Sequence, residues 1–98
     1  MGKILNQSLK VLEQTCAPRI LVLLFRKKEP LTISALRRMI NSSQDALYNA
    51  LKLLYDNGLI AEEREEDFPR RRLISLTDRG RKVAELLVEI EKIMSGEG

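Results

Sequence analysis

The chain has 98 residues, of which 44% are hydrophobic and 32% charged, with a net charge of +3; this is the composition of one small folded domain, not of a disordered segment. There is no histidine and a single cysteine, Cys16, which excludes an intramolecular disulfide, a Cys/His metal site within one chain and every histidine-dependent catalytic triad. The longest apolar run, Ile20 to Phe25, is far too short to cross a bilayer, and Met1-Gly2-Lys3-Ile4 lacks the apolar stretch of a signal peptide, so a cytoplasmic setting is expected.

The residues call for no cofactor. A balance of +3 proves little by itself, so the position of the charges carries more weight than their sum.

Leu5, Leu9, Leu12 and Cys16 recur at helical spacing and predict a first helix over residues 3–15. Pro18 suits the opening turn of the next helix, where its missing N–H costs nothing. That helix, about Pro18 to Lys28, carries Ile20, Leu21, Leu23, Leu24 and Phe25 and is stopped by Glu29-Pro30. Leu31 suggests a very short strand. Thr32 then caps a short helix holding Ile33, Leu36, Met39 and Ile40. Asn41-Ser42 breaks it, and Ser43 caps a helix with Gln44 and Asp45 in its first turn and Leu47, Ala50, Leu51 and Leu54 on one face. Asn57-Gly58 ends that helix, since glycine accepts positive φ.

A strand from Leu59-Ile60-Ala61 enters the charged stretch Glu62 to Asp67, Phe68-Pro69 turns the chain, and Arg70 to Leu76 returns as a second strand. Thr77 caps a last helix lined by Val83, Leu86, Leu87, Ile90, Ile93 and Met94. Two short helices joined by a tight turn and followed by a β-hairpin define a winged helix-turn-helix. The expected fold class is therefore mainly α with a small β-hairpin (α+β). Residues 18–76 form its core within a single domain spanning 1–98, and 3–15 and 78–94 are flanking helices.

The candidate functional surface is the polar face of the helix after Ser43. Gln44, Tyr48, Asn49 and Lys52 lie three or four apart and share one side, opposite the leucines. Glutamine and asparagine pair bidentately with adenine, and lysine reaches guanine or phosphate, so double-stranded DNA is the expected partner. Ser42 and Ser43 can bind phosphate through hydroxyl and backbone N–H groups. An ordinary solvated helix face also shows such residues.

Arg70, Arg71 and Arg72 have two readings as well. Arg70 and Arg72 can reach the DNA backbone or minor groove, with Arg71 turned elsewhere by strand alternation. Alternatively the three form a ladder with Glu62, Glu63, Glu65 and Glu66 across the hairpin. Arg37 and Arg38 sit before the turn, and Arg38 is a further phosphate candidate beside the reading of a solvated face. Cys16 shares the apolar stripe of Leu5, Leu9 and Leu12, which favours a buried small hydrophobe over a redox switch.

The stripes of the first and last helices find no partner within a three-helix winged core. Leu5, Leu9, Leu12, Val83, Leu86, Leu87, Ile90, Ile93 and Met94 are thus candidate contacts of a homodimer, or else of each other within one chain.

Gly58-Leu59-Ile60, the charged wing, and the run Leu73 to Arg81 resemble the winged-helix regulators of the MarR, HxlR and PadR type. There a GLI ends the recognition helix and LTxxG, here Leu76-Thr77-Asp78-Arg79-Gly80, closes the wing and opens the dimerisation helix. The resemblance covers residues 18 to 94. It implies a dimeric DNA-binding repressor or activator that contacts DNA through the recognition helix and the wing arginines. The chain is shorter than most MarR proteins. Cys16 lies too close to the first core helix to match the sensing cysteine of redox-responsive HxlR-type proteins. An interaction module on the same scaffold is the alternative, since fold does not fix function. Enzymatic activity is not expected: the carboxylates cluster on a hairpin with no pocket.

Overall fold

The computed structural model describes residues 16–96. The expected helix over 3–15, with Leu5, Leu9 and Leu12, lies outside them. The elements run α1 (Ala17–Lys27), β1 (Leu31–Thr32), α2 (Ile33–Met39), α3 (Gln44–Asp56), β2 (Ile60–Arg64), β3 (Arg72–Leu76) and α4 (Asp78–Met94). The architecture is the expected α+β winged helix, with a third strand added to the hairpin.

Each helix begins where a side-chain oxygen or a proline satisfies the open backbone. Pro18 occupies the first turn of α1, and Lys28 closes that helix in a left-handed conformation, its N–H donating to the Leu24 carbonyl at 3.1 Å. Thr32, Ser43 and Thr77 cap α2, α3 and α4; their hydroxyls accept from the N–H groups of Ala35, Ala46 and Gly80 at 3.1, 3.1 and 3.0 Å. Such caps contribute about 1 kcal/mol each. At the end of α3, Gly58 takes φ +73°, which lets the Leu59 N–H reach back to the Leu54 carbonyl at 2.9 Å.

The sheet has the order β1-β3-β2, antiparallel throughout. Leu31 pairs with Ile74 and Thr32 with Leu73 on one side of β3; on the other, Ile60 pairs with Leu76 and Arg64 with Arg72. β3 is shorter than the sequence suggests: it starts at Arg72, and Arg70 and Arg71 belong to the turn. Under the sheet sits a core of Ile20, Leu21, Leu36, Leu47, Leu54 and Ile74, all fully buried. Burial of each such side chain is worth about 1.5–3 kcal/mol. Cys16 belongs to this core, as the small-hydrophobe reading expects, with its Sγ 3.3 Å from the Ser42 hydroxyl.

One expectation needs correcting. The last helix does have a partner within the chain. α4 lies along α1, with Ala84 fully buried and Val83 and Leu87 packed against the core, and an Arg26–Glu91 ion pair at the rim. Leu86, Ile90, Ile93 and Met94 stay exposed on α4, Ile90 at the mouth of the cleft between α4 and α1.

Candidate nucleic-acid interface

α3 is held by its leucines and presents its polar side to solvent. Leu47, Ala50, Leu51 and Leu54 are buried, so the 3.6-residue period turns Gln44, Asp45, Tyr48, Asn49 and Lys52 outward. Lys52 is tied to Asp56 one turn on, at 2.9 Å, a fully solvated pair that a stronger anion can displace. Ser43 spends its hydroxyl on the cap of α3, and Ser42 donates to the Ser43 carbonyl at 3.1 Å. Both hydroxyls therefore build the turn between α2 and α3. Arg37 and Arg38 project from the exposed side of α2.

At the wing, acids and arginines pair. Glu62 on β2 holds Arg72 on β3, while Glu65 holds Arg71 through Nε at 2.9 Å and Nη2 at 3.0 Å and accepts the Arg71 backbone N–H at 3.1 Å. The ladder reading of the sequence thus describes Arg71 and Arg72. The Arg72 hydrogen bond holds the Glu62 carboxyl below its ordinary value against a partial desolvation, and charge from Arg72 and Arg64 adds to the effect. Glu65 is lowered in the same way by the Arg71 side chain and then by its backbone N–H.

Arg70 stands apart from this ladder. It occupies the left-handed region (φ 56°), its N–H donates to the Asp67 carbonyl at 2.8 Å, and its side chain is exposed.

Gln44, Tyr48, Asn49 and Lys52 thus share the exposed face of α3, while Arg70 and Arg72 are exposed on the wing. Arg37 and Arg71 face a common cleft with Thr32, Ser34, Arg38 and Ser42. Arg71 precedes β3, so its direction is set by the turn and its pairing with Glu65 and not by strand alternation. Among the described residues, no group of histidine, cysteine or carboxylate side chains has metal-binding proximity.

Residues 17–97 match the family model of the HxlR-like helix-turn-helix. No curated protein gives a significant match. Among solved structures, the chain is similar to a protein from Porphyromonas gingivalis W83 described as a transcriptional regulator of the MarR family. Identity is 26% over 91% of this chain and 86% of the other, with a TM-score of 0.72. It shares its fold with the transcriptional regulator YodB of B. subtilis in its reduced form (20% identity, 93% and 88% of the two chains, TM-score 0.76). The same holds for a protein from Salmonella typhimurium described as the transcriptional regulator ytfH (24% identity, 89% and 77%, TM-score 0.76). These relatives are transcription regulators and not enzymes. With a capped recognition helix, a tight turn, a paired wing and a family match over most of its length, this chain belongs to the HxlR-like helix-turn-helix family of DNA-binding transcription regulators.

Proposed function

We propose that the protein is a cytoplasmic regulator that binds double-stranded DNA in a sequence-specific manner as a homodimer. The observation that carries this reading is the outward row Gln44, Tyr48, Asn49 and Lys52 on a helix whose other side is locked into the core. In it, Gln44 and Asn49 read base edges in the major groove and Lys52 reaches guanine or phosphate. Ser42, Ser43 and Arg38 flank the turn where the backbone crosses, and Arg70 and Arg72 follow the strand at the wing.

Residues 18–76 are the reading unit, while 3–15 and 78–94 pair two copies. The exposed residues Leu86, Ile90, Ile93 and Met94 support that pairing, and Leu5, Leu9 and Leu12 are further candidate contacts from the sequence. Two such copies place their recognition helices about 34 Å apart, one turn of the duplex. No helix among the described residues is long and apolar enough to cross a membrane, which is consistent with the cytoplasm.

A second reading, a protein-interaction module, draws support from the wing, where Glu65 and Glu62 already engage Arg71 and Arg72. Selection of bound sequences from a random duplex pool separates the two. An enriched inverted repeat is the expected outcome. Bound DNA without enrichment rejects specificity, and no binding even at low salt leaves the interaction module.

A further inference from the structure

Between α2, the turn after it and the root of the wing lies an open cleft of about 600 Å³, lined by Thr32, Ser34, Arg37, Arg38, Ser42 and Arg71. Three guanidinium groups and three hydroxyls surround it, and its lining contains no carboxylate. Among the described residues neither Arg37 nor Arg38 has an acidic partner. Arg71 is balanced by Glu65, but Arg37 and Arg38 are adjacent like charges with no counter-ion of their own, and an anion between them and Arg71 relieves their repulsion.

Arg71 is fixed in place. Glu65 takes its Nε and Nη2 and its backbone N–H, which leaves most of the guanidinium's donors unspent. Thr32 accepts the Ala35 N–H, so its own O–H remains free to donate outward. Planar guanidiniums lining one cleft supply paired donors of the kind that phosphate oxygens accept.

We infer that this cleft is a phosphate-oxygen site. It takes one phosphodiester of the DNA backbone where the strand passes between α3 and the wing. Arg37 and Arg71 are its principal donors, and Glu65 is the positioning residue that holds Arg71. The source of the phosphate rests on the DNA-binding reading above; the anion chemistry of the cleft does not. Glu65 thereby acquires a role opposite to the one its charge suggests. It organises the site and does not repel the ligand.

The test uses the full chain in two arms. In the first, fluorescence anisotropy follows binding of a labelled duplex at several salt concentrations. Arg37→Gln and Arg71→Gln should each weaken binding to every sequence, roughly tenfold at low salt, and reduce the slope of log K against log salt by about 0.9, one phosphate contact. Lys27→Gln, exposed at the end of α1 and outside every contact named above, should change neither. Glu65→Gln should weaken binding through a displaced Arg71, whereas a merely repulsive Glu65 would tighten it on neutralisation.

In the second arm inorganic phosphate is titrated into the protein, and the NMR signals of the Arg37 and Arg71 side chains are followed. Shifts confined to the cleft, and lost in Arg37→Gln/Arg71→Gln, are expected; the amide spectrum checks that each variant is folded. Unchanged affinity and slope for both arginine variants, with wild type binding normally, overturn the proposal. If wild type binds no duplex, the DNA reading fails and the titration decides alone. Shifts at Arg37 and Arg71 then keep the cleft as a site for free phosphate, and their absence removes it.

Discussion

Gly80 stands so close to the carbonyl of Leu59 that a Cβ built on it would lie 1.8 Å from that oxygen. This contact is the centre of a clasp between the end of α3 and the start of α4. The Thr77 hydroxyl donates to the Gly58 carbonyl at 2.6 Å, the Thr77 N–H donates to the Leu59 carbonyl at 3.2 Å, and Arg79 donates to the Asn57 carbonyl at 3.3 Å. The two motifs that signal the family in sequence are the two halves of this clasp. Gly80→Ala forces backbone apart from backbone and should destabilise the fold by about 3 kcal/mol or more. Gly58→Ala should cost about 1–2 kcal/mol, for its φ of +73° alone, because its Cβ would meet only the mobile end of Arg79 at 3.5 Å. Urea denaturation of both variants checks the ranking, and a costlier Gly58→Ala contradicts it.

Along α4 the apolar residues divide by depth. Leu86 and Ile93 are 65% and 69% exposed, while Val83 and Leu87 pack on the core. Leu86→Glu and Ile93→Glu should therefore leave the chain folded but monomeric. Leu87→Ala should instead lower unfolding stability by about 2 kcal/mol. Sedimentation velocity together with circular dichroism separates these effects; a Leu86→Glu/Ile93→Glu protein that remains dimeric removes the proposed interface.

On the DNA side, Asn49→Ala should relax preference at particular base pairs with little change in affinity for unrelated sequences. Arg70→Ala should weaken binding to all sequences alike and flatten the salt dependence by about one phosphate contact. Mobility shifts over a salt series distinguish the two patterns, and an unchanged slope for Arg70→Ala rules out the wing tip as a contact.

The wing's ion pairs carry a pH signature. Glu62 and Glu65 are both held below their ordinary value of 4.5 by the arginines opposite them. A depressed carboxyl contributes stability that is complete above its unfolded value and disappears as the pH falls through its folded one. Hairpin pairing should thus be insensitive to pH near neutrality and loosen on acidification below about 4.5. Carboxyl NMR titration should place the Glu62 midpoint below 4.5, and Arg72→Gln should move it back up. A Glu62 midpoint of 4.5 in the wild-type chain would refute the pairing in solution.

Much of this was legible from local chemistry. Thr32, Ser43 and Thr77 each announce a helix start because a hydroxyl before an apolar-periodic run can satisfy an open N–H. Gly58 announces a helix end because few other residues accept its φ. The polar row on α3 follows from the burial of Leu47, Leu51 and Leu54, which the period alone predicts.

What escaped sequence reasoning depends on partners distant along the chain. The stripe on α4 demands burial but does not say against what, so Val83 and Leu87 read as free when α1 covers them. Pairing of Leu31 with Ile74 joins residues more than forty positions apart. The direction of Arg71 follows from the turn it occupies, one residue before β3 begins, and an alternation rule cannot supply it.

The place of β3 in the middle of the sheet has a mechanical consequence. Bonded to β1 on one flank and β2 on the other, the wing's return strand ties the arm directly to the start of α2, so any displacement of the arm is handed first to the helix that precedes the turn and only through that turn to α3.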